Sequence, residues 1–475
     1  MKRGAVLLFL FLSSVLAGCA QPARTDVVSV GIPQGEKDPA VWGKKYPNHY
    51  DSFLKNSEKS KKYSRYRSDG EDRLGPWPFQ FVLFDGWGMS VEYNEPNGHT
   101  EMLKDQLAID ASRRKAGGVC LTCKSPYSPG LKERLKADYF RQPYEKVHGQ
   151  IPGKHQQLGI SCSDCHEPQT MDLRISRWPL LEALKAIGKD PGKLTRQEMR
   201  SLVCAQCHVT YSIPKDGGGA SVGLKLPWAY GKWGNLSVEA VVTQIKKEDL
   251  KEWNHKVTGQ KLGHVRHPEF ELFSAPGSVH WAAGVACADC HMPYERVGRE
   301  KISSHHWESP VKGNMRACMQ CHNQSAEWLK EQVVNIQDRV NHMFTKAGYT
   351  VARAALLIEA AEKAPKVDAV LLGRAKEMYQ EAYYRNTWIG AENSMGFHNP
   401  PEALRVLGDA LDFGYKAEVL ARSALMKAGA TPPEMNAEMI DAVAAKRYAP
   451  REGRNEPQKG GGKKATLIGM AGKGA

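Results

Sequence analysis

The sequence predicts a mainly α-helical protein with few short strands, built first around bound groups and then around long helices. Three observations point there. Of 11 cysteines, ten fall into five C-x-x-C pairs between residues 120 and 322, separated by glycine-rich stretches such as "PKDGGGASVG" (214–223). Beyond the last pair, Leu329, Val333, Ile336, Val340 and Met343 recur at spacings of 4, 3, 4 and 3, one face of an amphipathic helix; Leu404, Leu407 and Leu411 begin another after Pro400-Pro401, a suitable helix start. The apolar share is a modest 41% of 475 residues, enough for two or three ordinary domains or for one enlarged by something other than a hydrophobic core.

Residues 1–18 read as an export signal. Lys2 and Arg3 precede the apolar run Ala5 to Leu12, and Leu16-Ala17-Gly18-Cys19 has the form of a lipoprotein cleavage box. The run is short for a bilayer span. Lipidation of Cys19 would tether a soluble body to a membrane face outside the cytoplasm, in the periplasm of a Gram-negative bacterium. Residues 19–39 then form an anchored linker, 40–325 the region of the cysteine pairs, 326–450 a helical region, and 451–475 a Gly/Lys-rich tail whose composition predicts disorder.

The pairs are Cys120/Cys123, Cys162/Cys165, Cys204/Cys207, Cys287/Cys290 and Cys318/Cys321. Disulfides and zinc sites also use such pairs, but neither explains the next residue, which is His166, His208, His291 and His322 after four of the five. With 16 histidines in 475 residues, chance would do this roughly once in 10⁵ sequences, and C-x-x-C-H is the attachment signature of c-type haem. Two thiols add to the porphyrin vinyl groups and the imidazole becomes an axial ligand. The formal charge of +14 is then misleading, because five haems add about ten negative charges through their propionates. A nucleic-acid partner is not implied.

After Cys123 the ligand slot holds Lys124. A lysine amine ligates only when deprotonated, which demands a metal and a desolvated pocket, and it lacks the π system of imidazole. A haem with histidine on both faces passes electrons but is closed to substrate. Lys124 therefore marks the first haem as the catalytic one, open on its distal face, with the other four as its wire. The alternative is a degenerate motif that binds no haem, or a haem whose iron finds another ligand.

One C-x-x-C-K and four C-x-x-C-H in this order resemble the pentahaem cytochrome c nitrite reductases, the ammonia-forming enzymes. The resemblance runs from about residue 40 to 450 and includes "EPNGH" (95–99), "CKSP" (123–126), "CHVTY" (207–211), "RHPEFE" (266–271), "CADCHMP" (287–293) and "FHNPPEALRVLG" (397–408). It implies a multihaem cytochrome c fold with five covalent haems, and distal histidines at His99 for haem 3, His305 for haem 2, His280 for haem 5 and His398 for haem 4. His305 is preferred to His306 because it lies five residues before Pro310. His148, His155, His255 and His342 read as surface or hydrogen-bonded structural histidines. Over the open iron face the resemblance places Tyr211, His267 and an arginine, Arg113, which stands just before a short glycine stretch as in the family pattern, with Arg114 as the alternative; these would hold nitrite's oxygens and supply protons.

The chain departs from that family at a calcium site beside the pocket. The expected glutamate, tyrosine carbonyl, lysine carbonyl and glutamine fall on Thr210, Tyr211, His264 and Arg266. Losing an anionic oxygen and gaining a guanidinium argues against a hard cation, so calcium is not expected and Arg266 is read as its replacement. The alternative is a solvated surface charge. The resemblance further implies a homodimer through the C-terminal helices and a membrane quinol dehydrogenase cytochrome as electron donor. The competing functions are a pure electron-transfer cytochrome, which would need no open haem, and a multihaem reductase of sulfur oxyanions or hydroxylamine.

Overall fold

In the computed structural model, which describes residues 31–58, 62–110 and 116–447, the chain is helical with short connections and two small antiparallel ribbons. Trp253–Asn254 pairs with Lys261–Leu262, and Tyr294–Val297 pairs with Glu300–Ser303. The second ribbon turns at Gly298, whose φ of +58° suits glycine. The predicted positions Cys19, Arg113 and Arg114, the export signal and the tail from 451 lie outside the described residues.

The C-terminal region is a packed group of long helices. Ala326–Lys363 starts where the Ser325 side chain accepts from the Trp328 amide, and Pro365 follows its end. Ala369–Ala391, which the sequence analysis did not single out, is capped by Asp368; Pro400–Lys427 is capped by Asn399 and has the two prolines in its first turn, the start that Pro400-Pro401 predicts. Leu329, Val333 and Val340 are buried, Ile336 and Met343 half-buried. Phe344, Tyr379, Tyr383, Trp388 and Leu407 fill the middle of this core. The third helix meets the others through Ala403, Ala410, Gly414, Ala417, Ala421 and Ala424, all buried, so the backbones approach closely. A Cβ on Gly414 would stand 3.0 Å from the Thr350 methyl.

Gly348 shows how tight this packing is. The short helix Phe79–Leu83 lies against the long helix, and a Cβ on Gly348 would run into the Phe79 ring. Gly348→Ala gains helix propensity but forces Phe79 out of place. Overpacking of this kind costs about 1–3 kcal/mol, so a lower urea midpoint with an unchanged slope is expected.

The earlier part of the chain has a second apolar cluster of its own, with Leu121, Tyr139, Tyr144, Leu202, Trp228 and Phe270 at its centre. The loop-rich sequence did not suggest it, because its members come from short segments with no sustained period. The glycine-rich 214–223 stretch is an excursion held by bridges between Ser212 and Lys225 and between Lys215 and Ser221. Among the described residues no helix is long and apolar enough to cross a membrane.

Candidate active site

The cysteine pairs sit on short turns of helix. The second and fourth motifs begin helices, Cys162–Cys165 and Cys287–His291, and in each the second variable residue, Asp164 or Asp289, accepts from the amide just ahead of the helix. The first lies on a short 3₁₀ segment, Gly117–Leu121, and the turn after it. None of the ten cysteines is in a disulfide.

Among these motifs opens a cavity of about 1950 Å³, well beyond the roughly 300–1,000 Å³ of a small-molecule pocket. Its walls carry both cysteines of the second to fifth pairs, and Cys123 of the first. Histidines line it in facing pairs. Ring centres lie 5.8 Å apart for His99 and His208, 6.2 Å for His166 and His305, 6.3 Å for His280 and His322, and 6.3 Å for His291 and His398. Two imidazoles bound to one metal through nitrogens about 2 Å from it have ring centres roughly 6 Å apart. Paired thiols, paired rings at this spacing and a large apolar space fit a set of covalent haems.

Hydrogen bonds orient the rings. Nδ1 of His166, His291 and His305 donates to the carbonyls of Met171, Glu308 and Ser303, each at 2.9 Å. This leaves Nε2 with its lone pair, the arrangement that ligating histidines adopt. Burial lowers the pKa of His99 to about 3, and those of His291 and His305 to about 4. His398 differs: Nδ1 lies 2.5 Å from the buried Glu392 carboxylate, and although burial opposes it, that charge raises the His398 pKa. His208 is raised in the same way, burial being outweighed by Glu269 at 3.8 Å.

His267 follows in the same neighbourhood. Its ring centre is 6.2 Å from that of His208 and its Nδ1 is 3.8 Å from the Glu269 carboxylate. Its backbone has φ +49°, left-handed and ahead of Pro268, a conformation that side chains seldom adopt and that surrounding contacts must hold. Tyr211 is half-buried beside Cys120 at the edge of the second apolar cluster. Burial pushes its phenol well above the usual value, so it stays protonated. Lys124 is half-buried, with its amide bonded to the Leu121 carbonyl at 2.9 Å.

Arg266 is no solvated charge. Its side chain is only 11% exposed. The guanidinium donates to the Tyr211 carbonyl at 2.9 Å and to both oxygens of Glu252 at 2.8 and 2.6 Å, and it lies 4.7 Å above the Tyr211 ring. The Arg266 amide also donates to Thr210 Oγ1 at 3.2 Å.

The cytochrome c552 family model matches residues 38–468. The chain belongs to the cytochrome c552 family. Among its relatives, the cytochrome c nitrite reductase subunit NrfA of Nitratidesulfovibrio vulgaris is 32% identical, over 89% of this chain and 86% of that one. Cytochrome c-552 of Bacteroides fragilis is 33% identical, over 82% and 78%. The solved cytochrome c nitrite reductase of Desulfovibrio desulfuricans superposes with a TM-score of 0.75 at 30% identity, covering 83% of this chain and 88% of that one, and its description concerns two calcium sites in the catalytic subunit.

Sequence reasoning missed several parts of the site. Glu252, the counter-charge of Arg266, lies 14 residues before it and carries no motif. Glu392 and Glu269 support ring nitrogens, and only Glu269 had a signal, lying two residues after His267 in "RHPEFE". His49 stands edge-on to His305 at 5.2 Å. His148, His155 and His255 are hydrogen-bonded as expected, to Gln156, Tyr127 and Thr258 with Val82.

Glu271 offers a clean test of burial. Its Oε1 accepts from the Thr210 amide and the Trp228 indole at 2.9 and 2.8 Å, and burial pushes its carboxyl up to about 8. The folded protein then holds a proton that the unfolded chain releases near pH 4.3, so this group costs stability progressively as pH rises from there to about 8. Glu271→Gln keeps the acceptor and removes the titration. Its stability relative to the parent should rise between pH 5 and 8, and a constant difference across that range would refute the buried neutral acid.

Proposed function

We propose that this protein is a periplasmic, lipid-anchored nitrite reductase that converts nitrite to ammonium at a lysine-ligated haem served by four bis-histidine haems. The observation that carries the reading is the contrast between four facing histidine pairs and a first motif that offers Lys124 in their place. When bound, the haems supply a substrate-binding iron and a store of electrons for a six-electron, eight-proton reduction that ends in ammonium and water.

The chain's own residues do the rest. His166 with His305, His208 with His99, His291 with His398 and His322 with His280 would hold haems 2, 3, 4 and 5, and Lys124 haem 1. Arg113 and His267 would bind the oxygens of nitrite, where charge accumulates as the N–O bonds weaken. His267, partly open to solvent, would take up protons and pass them on. Tyr211, held protonated by burial, would donate a hydrogen bond without becoming an anion. Arg266 would stand where relatives place a cation, keeping the Tyr211 carbonyl in place through a covalently tethered charge. The exposed Tyr415, Val419 and Met426 along Pro400–Lys427 support a homodimer through that helix, and Cys19 lipidation would keep the enzyme near a membrane quinol dehydrogenase.

The test is the ammonium formed per nitrite consumed by purified holoprotein with a chemically reduced donor. Near-stoichiometric ammonium is expected. Nitrite left untouched by protein shown to carry five haems would discard the substrate assignment.

A further inference from the structure

The variable residues inside the first three attachment motifs converge on Ser176-Arg177. In each motif it is the second of the two residues between the cysteines: Thr122, Asp164 and Gln206. Arg177 is 1% exposed. Its Nε donates to the Thr122 carbonyl at 2.5 Å and its Nη2 to the Ser125 carbonyl at 3.1 Å. The same Nη2 lies 2.6 Å from Asp164 Oδ1, while Asp164 Oδ2 caps its own motif. Gln206 accepts from the Arg177 amide at 2.9 Å and donates to the Asp164 carbonyl at 3.2 Å. Ser176 Oγ also donates to the Asp164 carbonyl, at 2.9 Å.

Thr122 and Ser125 bracket Cys123-Lys124. A buried guanidinium that grips the carbonyls on both sides of these two residues holds the turn at two points, and its own position is fixed by the second and third motifs. The fourth and fifth motifs use separate struts: Asp289 pairs with Arg200 at 2.5 Å and Gln320 donates to the Tyr294 carbonyl at 3.1 Å. Histidine is a short, stiff ligand that a C-x-x-C-H turn presents without help. Lysine carries its donor on a flexible four-carbon stem, so its backbone must be placed more firmly for the amine to reach one point.

We propose that Arg177 is a positioning residue for Lys124, fixing the turn from which that amine reaches the first haem. The inference rests on the Lys124 ligation proposed above. Arg177→Lys keeps the charge and most of the volume but cannot grip two carbonyls and a carboxylate together. Parent, Arg177→Lys and Arg200→Lys holoproteins are compared by intact mass for haem count, by low-temperature electron paramagnetic resonance for the open haem, and by kinetics with nitrite.

With five haems attached, Arg177→Lys should alter the high-spin signature of the first haem and leave the low-spin signals of the four others in place. Its kcat should fall about tenfold with KM within about twofold, the pattern of a misplaced catalytic group. Arg200→Lys should leave the high-spin signature as in the parent. An Arg177→Lys protein with five haems and an unaltered high-spin signature overturns the inference while the function stands, and so does one that fails to load haem. A parent without any open-haem signature overturns the reading of Lys124, and the inference with it.

Discussion

His267→Asn, in protein carrying its full set of haems, is expected to lower kcat for nitrite by about 10²–10³-fold, the usual effect of removing one donor aimed at developing charge. Two features make asparagine the informative replacement. The backbone at His267 is left-handed, at φ +49°, and asparagine tolerates that region better than alanine. The His267 side chain is also 43% exposed, so its loss removes little packing. A fall in rate without a fall in denaturation midpoint therefore reports chemistry. A rate within twofold of the parent would remove His267 from the reaction.

Arg266→Gln is expected to have the largest effect on stability. The substitution leaves Glu252, 5% exposed, as a buried carboxylate without its counter-charge, and it takes a donor from the Tyr211 carbonyl. Removing one partner of a buried pair costs about 3–5 kcal/mol. Glu252→Gln added to Arg266→Gln should recover much of that loss, because it removes the orphaned charge. Activity should respond in the same direction. If Arg266 takes the place of the cation, the parent should keep its rate after exhaustive chelation, and Arg266→Gln should lose activity and regain some when calcium is added. Calcium-dependent activity in the parent would refute the replacement.

Covalent attachment is local chemistry, so a pair of thiols two residues apart and the residue after them announce it wherever they occur. That is why the five motifs and the odd Lys124 could be read from the linear chain. The helix start at Pro400-Pro401 and the stripe from Leu329 to Met343 were legible for a similar reason: helix-start signals and amphipathic period act within a few residues. The distal histidines needed more. His99, His280, His305 and His398 were assigned through family motifs, since nothing near them in sequence says which ring they face.

Tertiary structure decided everything that depends on partners far along the chain. It brought His291 to His398 and His208 to His99, and it set Glu269 beside the His208 ring. It also gathered Thr122, Asp164 and Gln206 around Arg177. A buried charge must be matched within a few ångströms or the fold loses several kcal/mol, but the match can come from any segment that packing delivers. Such pairings follow from the closed arrangement of the whole chain, and no local pattern of residues records them.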